Sequence, residues 1–221
     1  FVSRKYHALT TQNNILYKGK ASVINGEFSF TFLMPKDISY NYGYGKISYY
    51  AYDTINFVDA WGAYSKIIIG GLNENAENDG QGPDIDLFIN NRNFQTGNSV
   101  ENEITLIADL FDEHGISSTG NSLGRDIVAT IDDNYSGSVI LNEYYNSEIN
   151  SYKNGSLKFD IGTLDYGWHI LKLKAWDLMN NSSTKSVEFF IAKEDGSILS
   201  KVYNFPNPFH KETTFTFNYN G

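Results

Sequence analysis

The chain has 221 residues, 41% hydrophobic and 19% charged, which excludes a disordered polyelectrolyte and leaves apolar side chain for one large or two ordinary cores. A net charge of −9 without any Lys/Arg cluster excludes the electrostatics that hold phosphate backbones, so neither nucleic acid nor an anionic membrane surface is an expected partner. There is no cysteine and no apolar run near the ~20 residues of a membrane helix, which excludes disulfides, thiolate metal sites, a cysteine nucleophile and a helical transmembrane segment from these residues.

Residues 1–14 carry little pattern, and Phe1-Val2-Ser3-Arg4-Lys5 lacks the apolar stretch of a signal peptide. Asn25-Gly26 is the first turn signal, and Lys36 to Gly45 reads as a long hairpin loop. Within it Tyr40-Asn41-Tyr42-Gly43-Tyr44 is rich in rings. Such stretches are ordinarily structural in a protein with 16 Tyr and 15 Phe, but Tyr40, Tyr42 and Tyr44 are also the first docking candidates. The strand Ile47–Asp53 closes this part.

Gly70 to Pro83 is polar, acidic and Gly-rich with no apolar period, which predicts a linker centred on 73–82. Beyond it period-two alternation dominates. Ile104, Leu106, Ala108 and Leu110 share one face, as do Ile127, Ala129 and Ile131. Leu171, Leu173 and Ala175 alternate with Lys172 and Lys174, and Val187, Phe189 and Ile191 alternate near the end. His114-Gly115, Ser136-Gly137, Asn154-Gly155 and Tyr166-Gly167 supply turn chemistry between these runs. Phe205-Pro206-Asn207-Pro208-Phe209 reads as a rigid extended stretch, and Thr213 to Phe217 as the first strand of something further.

The chain also repeats itself. Asn25-Gly26-Glu27-Phe28-Ser29-Phe30 is echoed by Asn154-Gly155-Ser156-Leu157-Lys158-Phe159, and Ile47 to Asp53 by Leu171 to Asp177. Two units in the same order, too long for solenoid repeats, predict an all-β chain of tandem Ig-like antiparallel β-sandwich domains. The expected division is a first module at 1–72, truncated at its start, then the linker at 73–82. A complete sandwich follows at 83–192, and 193–221 opens a third module. Tandem β-modules of this kind space, brace or present something else, which points away from a self-contained enzyme.

The chemistry-bearing residues are sparse. His7, His114, His169 and His210 show no paired-ligand spacing, and no G-x-S-x-G elbow accompanies them. His169, at the entrance to a strand, is expected to take a packing or surface role rather than a catalytic one. Asn75, Glu77, Asp79 and Asp86 trace a degenerate calcium loop, with Asn where Asp belongs, Asp where Glu belongs, and Gly82-Pro83 interrupting it; a solvated linker is the expectation, with no cofactor. Asp53 and Asp177 end equivalent strands before Asn-containing loops, which predicts capping of backbone amides rather than metal binding. Trp168 and Trp176, eight apart, should share a face on which Trp176 is out of phase with Leu171, Leu173 and Ala175.

Several of these runs carry a family resemblance. Tyr17-Lys18-Gly19-Lys20-Ala21-Ser22-Val23, Phe32-Leu33-Met34-Pro35-Lys36-Asp37-Ile38 and Gly43 to Ala51 are part of it. Gly124 to Asp132, Leu141 to Tyr145, Gly167-Trp168-His169 and Lys174 to Asn181 continue it. Together they resemble the region after the catalytic domain in the gingipain-related cysteine peptidases (sortases) of the type IX secretion system in Bacteroidetes. The tail, Asn204 to Phe209 with Thr213 and Thr214, is similar to the opening of sorting-type domains of that system.

The resemblance implies a secreted, outer-membrane-associated, cell-surface parent that removes sorting domains from exported cargo and attaches the cargo to an anionic lipopolysaccharide. It also implies partners: an upstream catalytic domain in the same chain and outer-membrane proteins of the secretion system. The catalytic cysteine and histidine of such peptidases lie upstream, and no position here matches them, so no catalytic residue carries over. The alternative function is an independent adhesin or carbohydrate-binding β-sandwich.

Overall fold

Strands that alternate must bury one face, and here two sheets do so against each other. The computed structural model describes residues 14–36, 42–71, 73, 80–120, 124–192 and 198–220. Its strands are β1 (Gly43–Asp53), β2 (Val58–Ile69), β3 (Asp84–Ile89), β4 (Ser99–Val100), β5 (Glu103–Phe111), β6 (Val128–Ile131) and β7 (Val139–Ile140). There follow β8 (Tyr145–Ser147), β9 (Asn154–Thr163), β10 (Gly167–Trp176), β11 (Ser182–Ile191), β12 (Ile198–Phe205) and β13 (Thr214–Asn220). The fold is all-β, its sheets antiparallel except where β4 lies parallel to β11.

Residues 84–191 form a sandwich of a four-stranded sheet, β3-β5-β9-β8, and a five-stranded sheet, β4-β11-β10-β6-β7. The alternation read from sequence is the packing seen. Ile104, Leu106, Ala108 and Leu110 of β5 meet Leu171, Leu173 and Ala175 of β10 and Val187, Phe189 and Ile191 of β11 in one buried cluster. Full burial of a Leu, Ile or Phe side chain contributes about 1.5–3 kcal/mol, so this shared core dominates the stability. Trp168 and Trp176 share the outer face of β10, where Lys174 and Arg125 lie over the Trp176 ring at 4.5 and 5.8 Å.

The chain enters the sandwich by a close approach. Pro83 is fully buried, and a side-chain carbon at Gly82 would lie 2.4 Å from the backbone of Ser182, closer than any real contact. Only glycine lets the two backbones pass at that point.

Residues 43–69 form a separate hairpin of β1 and β2, with Tyr50 opposite Trp61 and Ala51 opposite Ala60. Residues 37–41 of the hairpin loop expected across Lys36–Gly45 lie outside the described residues. Residues 28–35 carry no ladder and instead lay rings on the sheet, Phe28 meeting Tyr49 at 5.5 Å. Asn25 and Gly26, both at positive φ, make the tight turn read from sequence, with Ile24 and Glu27 exchanging backbone bonds of 3.0 and 2.9 Å.

Its echo does not. Asn154-Gly155 opens β9 inside the four-stranded sheet, where the Tyr145 ring lies over Gly155, so the same dipeptide serves as turn in one copy and strand in the other. Phe205 to Phe209 departs from the extended reading as well. β12 ends at Phe205 and the chain bends through 206–208 to β13, which pairs back on β12.

Candidate functional site

The repeat is most faithful at the ends of β1 and β10. Asp53 Oδ1 accepts the amides of Ile55 and Asn56 at 2.7 and 3.2 Å, and its Oδ2 accepts Asn56 Nδ2 at 2.6 Å. Asp177 Oδ1 accepts the amides of Met179 and Asn181 at 3.0 and 2.6 Å, and its Oδ2 accepts Asn181 Nδ2 at 2.8 Å. The capping asparagine is therefore Asn181, one position beyond Asn180. The Asn56 side chain and the two amides hold the Asp53 carboxyl below its ordinary pKa.

Asp177 also contributes to the one concentration of metal-type ligands found among the described residues. Asp112, His114 and Asp177 each bring one ligand atom within 4.8 Å of the others, with both carboxylates buried. Those oxygens already serve the backbone, Asp177 as above and Asp112 Oδ1 through the His114 amide at 2.7 Å. The geometry is that of two loops capped side by side.

The calcium pattern falls elsewhere. Asn75, Glu77 and Asp79 lie outside the described residues. Asp86 is exposed on β3 directly opposite Asp109 of β5, whose carboxylate is forked by Arg92 at 2.7 and 2.8 Å. Arg92 holds Asp109 below its ordinary pKa and offsets the cross-strand repulsion from Asp86. Millimolar calcium is accordingly expected to leave the melting temperature unchanged, whereas a saturable native-state site would raise it. A chelator-reversible rise of several degrees in a thermal melt would make the 75–86 segment a calcium site.

His169 is buried at the mouth of β10. Its Nδ1 lies 2.7 Å from Asp132 Oδ2 and its Nε2 2.8 Å from the Asp165 carbonyl, and the ring stacks on Phe189 at 5.6 Å. Burial opposes the charge on the ring, yet the Asp132 and Asp165 oxygens outweigh it and raise the pKa. With oxygens at both nitrogens the ring, when protonated, donates to Asp132 and to the Asp165 carbonyl at once. Neither nitrogen is left to take a proton from a nucleophile, which is what a catalytic histidine needs. Asp132, Asp133, Trp168, His169 and Glu188 border an open cleft of about 410 Å³.

Of the docking candidates, Tyr40 lies outside the described residues, while Tyr42 and Tyr44 are 77% and 73% exposed. Sequence reading missed their continuation. Tyr44, Tyr50 and Tyr52 are spaced by even numbers along β1, and the register sets Trp61, 83% exposed, opposite Tyr50. The Tyr50 and Tyr52 rings stack at 6.3 Å, and the Tyr50 hydroxyl donates to Asp59 at 3.1 Å. The result is one aromatic sheet face; the even spacing was the available signal.

No protein-family model and no curated protein matches the chain. Among solved structures it is similar to dimeric latent PorU from Porphyromonas gingivalis, with a TM-score of 0.51 and 30% identity over 90% of this chain. The likeness to PorU is one of structure and sequence over that span. The chain corresponds to only 19% of the length of the PorU chain. An endo-beta-1,4-mannanase from Thermotoga petrophila matches half of the chain at a TM-score of 0.33 and 11% identity, covering 20% of the mannanase.

Proposed function

We propose that this PorU-like chain is a non-catalytic brace and docking region, carried behind the catalytic domain of a secreted, surface-associated cysteine peptidase that processes type IX secretion cargo. The single observation that carries the reading is the likeness to PorU across 90% of the chain at 30% identity. The engagement of His169 at both nitrogens and the absence of cysteine support a non-catalytic part. In this reading a module at 1–72, a linker at 73–82, a sandwich at 83–192 and the opening of a sorting-type module at 193–221 set the catalytic domain at a fixed distance from outer-membrane partners. The net charge of −9 discourages adhesion to anionic glycolipid and leaves docking to the aromatic face around Tyr42, Tyr44, Tyr50 and Trp61.

The test is deletion of residues 1–192 from the full-length parent, beside replacement of Tyr42, Tyr44 and Trp61 with Ser, with surface attachment of cargo as readout. Attachment is expected to fail in both. Normal attachment after the deletion overturns the docking role; failure of the deletion alone keeps the role and discards the aromatic face.

A second reading, a carbohydrate-binding module, is favoured by the exposed Tyr50, Tyr52 and Trp61 rings, the two Tyr planes 24° from parallel, since exposed flat aromatics stack on sugar rings. Glycan binding that is abolished by Trp61→Ala would establish it.

A further inference from the structure

The β1–β2 hairpin and the sandwich are joined through 73–82, but a second connection runs the other way. Lys20 and Ser22, far upstream of the sandwich in sequence, lie against the turn that follows β8. Lys20 bridges Ile149 in parallel, and the Asn150 amide donates to the Lys20 carbonyl at 2.9 Å. The Ser22 amide donates to Asn150 Oδ1 at 2.8 Å, and Asn150 Nδ2 donates back to Ser22 Oγ at 2.9 Å. Asn150 holds a left-handed backbone (φ +62°), which asparagine tolerates better than most residues.

Beside this clasp Leu16 and Tyr17 line one small pocket with Ile116, Tyr145, Tyr152 and Leu178. From Tyr17 a row of rings leads outward: Tyr17 on Phe30 at 5.9 Å, Phe30 on Phe28 at 6.4 Å, and Phe28 on Tyr49 of β1 at 5.5 Å. The Lys36 amide, at the far end of the segment, donates to the Leu178 carbonyl at 3.0 Å. Polar pairing on one side and packing on the other thus fasten the strap to the sandwich, and the aromatic row fastens it to the hairpin.

We infer that the edge formed by β8 and the 146–150 turn is an acceptor for an extended strand whose resident occupant is residues 15–24 of this same chain. This clasp, rather than the 73–82 connection, holds the β1–β2 hairpin to the sandwich. The inference deepens the brace reading and rests on it only for its purpose. A peptide tether alone fixes distance loosely, through an effective concentration in the millimolar range, whereas strand addition with side-chain pockets fixes register and orientation.

The test is to place a specific protease site within 73–82 of the full 221-residue chain, cut it, and follow the two pieces by size exclusion at micromolar concentration. The cut protein is expected to elute as one species. Asn150→Ala and, separately, Ser22→Pro, which removes the strap's amide donor without touching the sandwich, should each speed separation at least tenfold. A near-UV spectrum and melt of the sandwich piece confirm that it stays folded in both. Separation of the wild-type pieces on cutting, or dissociation of both variants at the wild-type rate, overturns the clasp. Because the readout is association rather than cargo attachment, its failure is distinct from failure of the docking role.

Discussion

Asp177→Ala is expected to cost the fold about 3–5 kcal/mol, because one truncation strips the acceptor from two backbone amides and one side-chain amide in a buried turn, and an unsatisfied buried donor costs about 1–3 kcal/mol. Asp177 is 1% exposed and Met179 is buried too, so the amide that loses its partner sits where solvent compensates poorly. The same substitution at Asp53 removes the same three bonds from an open hairpin, where water takes over, so its cost should be a fraction of that at Asp177. Urea unfolding of the two single variants measures the contrast directly. Asp177→Asn, which keeps one acceptor oxygen, should recover part of the loss. Equal costs at the two positions would mean that burial does not set the value of this cap.

Stability should also fall as pH rises beyond the ordinary imidazole value of about 6.5, and His169 is the reason. Its pKa is raised in the folded state, so the protonated ring contributes fully below its unfolded value of about 6.5. That contribution is lost as pH climbs through the higher folded value. Asp132 and Asp165 face the ring at hydrogen-bond distance, Glu188 borders the same cleft, and Phe189 packs on its plane.

Hydrogen bonds to a charged group are worth about 1.5–3 kcal/mol, so His169→Gln is expected to lose about 2 kcal/mol at pH 6 and markedly less at pH 9. Denaturant unfolding at pH 6, 7.5 and 9 checks both slope and size. A variant whose stability changes with pH as steeply as the wild type's would remove His169 as the source.

Much of the sandwich was legible in the sequence because its information is local. Ile104, Leu106, Ala108 and Leu110 lie two apart, and a pleated strand sends every second side chain to the same face, so their burial follows from spacing alone. The caps at Asp53 and Asp177 were legible for the same reason, since their partners are only two to four residues away.

The tertiary structure alone decided what depends on distant partners. Asn25-Gly26 and Asn154-Gly155 are the same dipeptide, and only the second has Tyr145 and the neighbouring β5 and β8 to draw it into a sheet. The aromatic face needed the β1–β2 register to bring Trp61 opposite Tyr50. The clasp pairs Lys20 with Ile149 and Ser22 with Asn150, across 128 positions for the latter pair. An extended chain offers the same backbone donors and acceptors to any open edge, so which edge it takes is settled by the pockets and turns that the rest of the fold builds around it.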